Sequence, residues 1–305
     1  MPAWPGFLLT VGGGIVAVVA LVAVALVERG DVAADVRTLG IALLAGAFAF
    51  VVGLVYTAIR QIRMRSALPP ERYRGPSVFV LLALALVVGG VLSAPFAAEA
   101  LALQSGEGEV SLLGSAVILV AAQAGLLIVG YFLVYRTRAL AALPNIAGRD
   151  RLAAVLAGLG YGVLAWIGSS VVLLLVTVVL TAIGQPPPTG PAEQAIAMLD
   201  PVLVVVAIVF FAPIAEELFF RGIVFNAWLR ESGRRWAYVG SAALFAVIHL
   251  SLASLLPIFL LGLALAWVYQ RTGNLLAPIV MHATVNGISV AAALAFRFGV
   301  FDLPV

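Results

Sequence analysis

Long apolar segments separated by short polar loops follow one another along the whole chain. A helix that crosses the roughly 30 Å hydrocarbon core of a bilayer needs about 20 such residues. On this basis we predict an all-α, polytopic transmembrane helix bundle with eight or nine spans, because two of the nine segments are short for a full crossing. The segments lie at 7–27, 38–59, 77–98, 110–135, 152–183, 202–229, 236–250, 255–270 and 275–296.

The composition agrees with a membrane protein and narrows its chemistry. Of the 305 residues, 64% are hydrophobic and 10% are charged, which is far more apolar than a soluble domain. The absence of cysteine excludes disulfides, thiolate metal sites and cysteine nucleophiles. All 17 basic residues are arginines in or near short loops, apart from one within a span, so we expect membrane lipids and no nucleic acid as partners.

The arginines also predict an orientation in the cell membrane, since cytoplasmic loops retain positive charge. Loops 60–76, 136–151 and 230–235 are rich in arginine and are predicted to lie inside. The loops between them contain acidic residues and no basic one, so they are predicted to lie outside; the acids are Glu99, Glu107, Glu109, Glu193 and Asp200. With nine spans the N-terminus is cytoplasmic and the C-terminus is outside. The first segment lacks the basic residues that precede a cleavable signal peptide, so we expect a retained helix.

Charged residues inside the predicted spans are confined to Glu216, Glu217 and Arg221. Each charge costs about 2.5–3.5 kcal/mol at the centre of a membrane helix on insertion scales, so each is a functional hypothesis. Glu217 and Arg221 are four residues apart and can form an ion pair, for which a structural role is the favoured interpretation. Glu216 points elsewhere on the helix and is the candidate general base that activates water.

Both histidines lie in the last quarter of the chain, at His249 and His282. His282 and Asn286 are four residues apart on one helix face and could both donate to a developing oxyanion. His249 follows Phe245 by one helical turn and could orient the same water molecule. Each histidine could instead be a polar residue that bridges helices. At 1.5 Å per residue, His282 lies about 10 Å and Glu216 about 20 Å from the cytoplasmic ends of their spans, so we expect a buried site that opens towards the cytoplasm.

A divalent metal is a further alternative at this site. Glu216, His249 and His282 could together hold an ion such as Zn²⁺. No dedicated ligand spacing such as H-E-x-x-H is present, and no G-x-S-x-G element indicates a serine hydrolase. The sequence therefore leaves both a metal and no cofactor open.

Three motifs occur in order on successive hydrophobic segments: E-E-x-x-x-R at 216–221, F-x-x-x-H at 245–249 and H-x-x-x-N at 282–286. Together they resemble the CPBP family, which includes the type II CAAX prenyl endopeptidases and bacteriocin-processing enzymes, also described as abortive-infection proteins. We therefore interpret residues 152–305 as a CPBP-like catalytic core with motifs at 212–286. Residues 1–151 carry no such motif, and we interpret their helices as specific to a subgroup.

The resemblance implies a CAAX-protease-like intramembrane endopeptidase with a conical cavity open to the cytosol. In that picture Glu216 and His249 activate the water molecule. His282 and Asn286 stabilise the oxyanion, and Glu217 with its paired arginine supports them, as does the phenylalanine of the second motif. The family has been described both as metalloproteases and as glutamate-dependent proteases without a required metal. The expected substrate is a membrane-associated peptide or protein.

Two other classes of function stay open at this point. The first is a non-catalytic bacteriocin-immunity or membrane scaffold protein of the same fold. The second is a proton-coupled transporter, in which Glu216 and the histidines relay protons. The lack of a visible inverted repeat, and the concentration of polar groups in one third of the chain, disfavour the transporter.

Overall fold

The computed structural model describes residues 1–28, 35–105, 110–140, 150–185 and 191–300. Within these ranges every regular element is helical and there is no strand. Eight helices are long and apolar enough to cross a membrane. The predicted all-α, polytopic bundle is therefore confirmed. The predicted loop residues Glu107 and Glu109 lie outside the described residues.

The described helices agree with most of the predicted segments to within a few residues. They are α1 (Trp4–Glu28), α2 (Val36–Arg65), α3 (Val78–Ser93), α4 (Ala97–Ser105), α5 (Leu112–Tyr135), α6 (Arg151–Ala182), α7 (Pro191–Met198), α8 (Pro201–Glu231), α9 (Arg234–Val247), α10 (Leu255–Thr272) and α11 (Leu276–Arg297). The eight candidate spans are these helices without α4, α7 and α9, with α3 continued into α4 as far as Leu101.

Helix α9 is the segment that made the span count ambiguous. Its 14 residues extend about 21 Å, which is too short to cross the bilayer. Helix α10 packs directly against it. The approach is so close that a Cβ atom added to Gly262 would lie 3.0 Å from Cα of Ala242. The two helices form a hairpin that begins and ends at arginines, Arg234 and Arg271. The tip of this hairpin, residues 248–254, therefore lies at membrane depth.

The arginine-containing loops meet at one end of the bundle, which we call the Arg-rich end. There Arg65 Nη1 lies 2.8 Å from Glu231 Oε1, and Arg72 Nη1 donates to the Arg230 carbonyl at 2.8 Å. The opposite end, here called the Arg-poor end, contains α4, α7, the start of α8 and the end of α11. Arg297 Nη1 donates there to the carbonyls of Ile196 and Leu199, both at 2.7 Å.

Helix α8 runs through the centre of the bundle and widens twice from α-helical to π-helical winding. Its α-helical segment Ala212–Phe219 lies between two wider π-helical segments, Val205–Phe211 and Phe220–Phe225. In the first of these, the Ala212 amide donates to the Ala207 carbonyl, five residues back. The next donor in that register would be Pro213, which has no N–H. The carbonyl of Ile208 is therefore left without a partner from its own helix.

Glycines allow the neighbouring helices to approach closely. A Cβ atom at Gly158 of α6 would lie 2.7 Å from the Ala277 carbonyl oxygen of α11, and one at Gly162 would lie 2.6 Å from Thr284. Gly158 and Gly162 thus form a close packing face of α6 against α11. Helix α5 contacts α8 in the same way, since a Cβ atom at Gly130 would lie 2.8 Å from Ile223. Helix α5 therefore packs on the core, and a division at residue 151 stays a prediction.

Candidate active site

A cavity of about 980 Å³ lies between α5, α6, α8, α11 and the tip of the hairpin. The four residues predicted to be catalytic all line it, together with Phe245. They are Glu216, His249, His282 and Asn286. Glu217 and Arg221 do not line the cavity but lie behind its wall, where both side chains are fully buried. The structure thus separates the predicted residues into a group that lines the cavity and a pair that supports it.

The supporting pair is tightly connected. Arg221 Nη1 donates to Glu217 Oε1 at 2.7 Å, and Nη2 donates to the Gly262 carbonyl of α10 at 3.0 Å. The same Glu217 oxygen lies 3.1 Å from Nδ1 of His282. A carboxylate paired with arginine can only accept, so the Nδ1 proton of His282 is assigned to this bond. The ion pair predicted from the i, i+4 spacing is present, and it also fixes the orientation of His282.

Glu216 is in a different situation from its neighbour in the chain. Its side chain is 10% exposed, and Oε2 lies 3.9 Å from Nε2 of His282, which is too long for a direct hydrogen bond. This oxygen is buried and has no hydrogen-bond partner among the described residues. A buried carboxylate oxygen without a partner is costly, so a functional explanation is required.

Phe245 connects the elements of the site. Its ring lies 4.7 Å below the Arg221 guanidinium, and it makes edge contacts with His249 and His282 at 4.8 and 5.6 Å between centroids. The Phe245 carbonyl accepts from Nδ1 of His249 at 2.7 Å. Because a carbonyl only accepts, Nδ1 carries the proton and Nε2 of a neutral His249 is an acceptor. His249 itself lies in the turn that follows α9, not within the span in which it was predicted.

Asn286 has a structural bond that the sequence analysis did not include. Its Nδ2 donates to the Ile208 carbonyl at 2.9 Å, the same carbonyl that Pro213 leaves unpaired in α8. An amide nitrogen carries two hydrogens, so one N–H is used here and one is left for the cavity. Asn286 therefore links α11 to α8 and still has a donor for chemistry.

The cavity opens at the Arg-poor end. Its lining includes Ala100 of α4 and residues 192–195 of α7, and it contains no residue of α8 beyond Glu216. Beyond Glu216, towards the Arg-rich end, Phe220, Ile223 and Phe225 are buried and fill the space. The predicted opening towards the cytoplasm stays a prediction, because the lining identifies an end of the bundle and not a face of the membrane. The position of Glu216 along α8 does not by itself indicate which half of the bundle is packed.

The predicted metal ligands do not form a metal centre in this arrangement. Within the described part of the chain, no three His, Asp or Glu residues converge closely enough to hold an ion. Glu216 and His282 are neighbours, but His249 donates to the Phe245 carbonyl and, among the described residues, forms no hydrogen bond or ion pair with either. We therefore derive no chemical step through a metal.

The sequence analysis missed several polar residues of the cavity. Gln123 of α5 lines it, and its Oε1 is buried without a hydrogen-bond partner among the described residues. Ser289 lies one turn beyond Asn286, and Trp166 of α6 forms part of the opposite wall. An amide in the middle of the apolar run 112–130 was a usable signal for Gln123. Trp166 gave no comparable signal in the sequence.

The fold and the site together define an all-α multi-pass membrane protein with a buried acid–histidine centre. Residues 198–288 match the model of the family described as type II CAAX prenyl endopeptidase Rce1-like. This segment includes all three motifs, and it confirms the predicted family for this part of the chain.

Two curated bacterial proteins are similar to the chain. One is the "Putative membrane peptidase YdiL" of Bacillus subtilis (strain 168), 31% identical over 108 residues, which are 34% of this chain and 44% of that protein. The other is the "UPF0177 protein YxdF" of Lactococcus lactis subsp. lactis (strain IL1403), 32% identical over 75 residues, which are 24% of this chain and 41% of that protein. The chain thus spans less than half the length of these relatives. No solved structure matches it.

Proposed function

We propose that this protein is an intramembrane endopeptidase that hydrolyses a peptide bond in a membrane-associated peptide or protein, with Glu216 activating the attacking water. The observation that carries this proposal is the buried, unpartnered Oε2 of Glu216 at the inner end of a large cavity. The family match and the name of the Bacillus relative support a peptidase in general. The chemistry at Glu216 rests on the geometry.

The first step is activation of water. A separation of 3.9 Å between Glu216 Oε2 and His282 Nε2 allows one water molecule to contact both atoms at ordinary hydrogen-bond lengths. Glu216 takes a proton from this water while the water oxygen bonds to the substrate carbonyl carbon. The same proton then passes to the leaving amine as the C–N bond breaks. Glu216 is thereby returned to its carboxylate form, and the reaction needs no other reactant.

The second requirement is stabilisation of the oxyanion. The N–H of Asn286 that Ile208 does not use is one donor towards the cavity. His282 donates from Nε2 only when its ring is protonated, because Nδ1 already donates to Glu217. His249 can bind the water or the substrate amide through its free Nε2.

The Glu217 ion pair is the positioning part of this mechanism. Glu217 fixes the ring of His282, and Arg221 fixes Glu217 against the α10 carbonyl of Gly262. Both side chains are fully buried, so neither contacts the substrate in the cavity. They contribute by holding in place the groups that contact the substrate.

The test compares two glutamates of the same helix. Membranes from cells that produce wild-type protein, Glu216→Gln or Glu231→Gln are profiled by mass spectrometry for new peptide termini. Glu231 is the matched control, since it pairs with Arg65 at the Arg-rich end, far from the cavity. We expect new termini with wild type and Glu231→Gln, and their loss with Glu216→Gln. Parallel samples with a membrane-permeant chelator separate metal-dependent from metal-independent cleavage.

Identical profiles for wild type and Glu216→Gln would contradict the proposal. The non-catalytic immunity or scaffold function would then be favoured, and protection of cells that survives Glu216→Gln would support it. Proton-coupled transport by purified protein in liposomes, abolished by the same substitution, would favour the transporter instead.

A further inference from the structure

The cavity wall that α5 contributes contains a polar group that the proposed mechanism does not use. It is the amide of Gln123, whose Oε1 is buried without a hydrogen-bond partner among the described residues. The other α5 residues of this wall, Ile118 and Leu119, are apolar. An unpaired amide oxygen in apolar surroundings destabilises a fold, so the presence of Gln123 requires an explanation.

The packing of α5 on α8 places Gln123 close to the level of Glu216. The two helices run in the same direction, since both begin beside α4 and α7 at the Arg-poor end. Further along, a Cβ atom at Gly130 would lie 2.8 Å from Ile223. Seven residues before Gly130 is Gln123, and seven residues before Ile223 is Glu216, which is about 10 Å back along each helix. The two side chains therefore lie within about one helical turn of the same level.

Gln123 also lies on the face of α5 that packs towards α8. Seven residues are nearly two helical turns, so Gln123 shares a face with Gly130. This face packs against the α8 segment Ala212–Phe219, which contains Glu216. Gln123 and Glu216 thus belong to adjacent walls of the same part of the cavity.

An amide at this position suits the backbone of a peptide. A peptide that reaches Glu216 brings backbone N–H groups away from water, and each needs a partner. An amide oxygen accepts such a bond, and rotation about the broad χ3 of glutamine turns Oε1 of Gln123 towards the cavity. In a helix the N–H groups beyond the first turn are already bonded to their own chain. Gln123 can therefore bind only an unwound stretch of peptide.

We propose that Oε1 of Gln123 accepts a hydrogen bond from a backbone N–H of the substrate beside the scissile bond, and so selects an extended peptide segment. The unpaired Oε1 in the cavity wall, near the level of Glu216, is the observation behind this proposal. The role rests on the proposed function, but it concerns binding, whereas Glu216 carries the chemistry. Gln123 lies outside residues 198–288, which match the family model. The N-terminal part of the chain thereby contributes to the site.

The first experiment compares the same substitution at two glutamines. New peptide termini are profiled in membranes that contain wild type, Gln123→Leu, Gln185→Leu or Glu216→Gln, at matched amounts of protein. Gln185 is the control, since it is exposed and does not line the cavity. We expect the termini that depend on Glu216 to fall several-fold with Gln123→Leu and to persist with Gln185→Leu. Gln123→Met replaces Gln123→Leu if that variant accumulates poorly.

The second experiment tests the hydrogen bond itself. A synthetic peptide that spans the strongest Glu216-dependent site is assayed with purified protein, together with analogues in which one backbone N–H near the scissile bond is replaced by an ester oxygen. Gln123→Leu should raise KM about 3- to 10-fold and leave kcat within about twofold, as expected for one lost hydrogen bond. One ester should weaken cleavage by wild type to a similar extent and have no further effect on Gln123→Leu. A merely structural role for Gln123 predicts no such coupling to a single N–H.

Two failures are distinguishable. An unchanged KM for Gln123→Leu, or ester effects that are equal in wild type and Gln123→Leu, would overturn the binding role and leave the peptidase function standing. If no new terminus depends on Glu216, the proposed function fails and the binding role fails with it.

Discussion

The two halves of the bundle on either side of Glu216 are built on opposite principles. Towards the Arg-rich end, α8 is surrounded by side chains, and its charges, Glu217 and Arg221, are paired and fully buried. Towards the Arg-poor end the same helix faces a cavity of about 980 Å³ through residues such as Ile208 and Ala212. One half is tightly packed, although Glu217 Oε2 and Arg221 Nε have no hydrogen-bond partner among the described residues, and the other half is open. The comparison teaches that the packed half holds the ion pair that orients His282, while the open half leaves Glu216 facing the cavity.

The largest expected difference in the free energy of unfolding is that between substitutions of Glu217 and of Glu216. Glu217→Ala leaves Arg221 as an unpaired buried charge, which should lower the free energy of unfolding by about 3–5 kcal/mol. Glu216→Ala removes an oxygen without a partner and should change it by no more than about 1 kcal/mol. Unfolding of the purified variants in mixed micelles measures both.

The control for this prediction is the double variant Glu217→Leu with Arg221→Met, which removes both charges. It should recover part of the stability lost in Glu217→Ala. If Glu216→Ala and Glu217→Ala lower the free energy of unfolding equally, the two halves do not differ in how much their glutamates contribute to stability.

An intermediate effect is expected at the contact between α11 and α8. Asn286→Ala leaves the Ile208 carbonyl without a partner, because Pro213 cannot supply one, and should cost about 1–3 kcal/mol of stability. Ser289→Ala, on the same helix and in the same cavity, should change it by no more than about 0.5 kcal/mol. If the two variants unfold alike, the hydrogen bond to Ile208 contributes nothing measurable.

The smallest effect is expected inside the cavity itself. Gln123→Leu replaces a buried amide oxygen that has no described partner with an apolar group of similar size. The free energy of unfolding should stay within about 1 kcal/mol of wild type, with an increase more expected than a decrease. A loss of several kcal/mol would mean that Gln123 is part of the packed half rather than of the open one.

The sequence predicted the fold well because the bilayer imposes simple rules. Span length and hydrophobicity located the helices, and the i, i+4 spacing paired Glu217 with Arg221 and left Glu216 apart. The order of the three motifs indicated the family. These features depend on local spacing, which is visible in one sequence.

The features that the sequence could not supply depend on contacts between distant segments. The bond from His282 to Glu217 joins residues 65 positions apart, and no local pattern indicates it. The open direction of the cavity depends on which half of α8 other segments cover. The composition of α8 does not indicate it, since the half that faces the cavity, 201–215, is the more apolar one. The bond from Asn286 to Ile208 was partly predictable. Pro213 has no N–H, so a carbonyl about one turn earlier in the helix must lack a partner. Its partner could not be identified from α8 alone.

The short hairpin of α9 and α10 has a consequence for how the protein is made. Helix α9 contains Arg234, Arg235 and Ser241 in 14 residues, so it cannot enter a bilayer as an independent span. The turn that follows it has non-helical backbone, with Leu250 at a φ of 51°, which a membrane tolerates only beside protein or water. The hairpin must therefore be inserted as a unit onto α8, where the Arg221 guanidinium binds the Gly262 carbonyl of α10. Biogenesis is in this sense ordered: the last wall of the cavity closes only after the helix that carries Glu216 is in place.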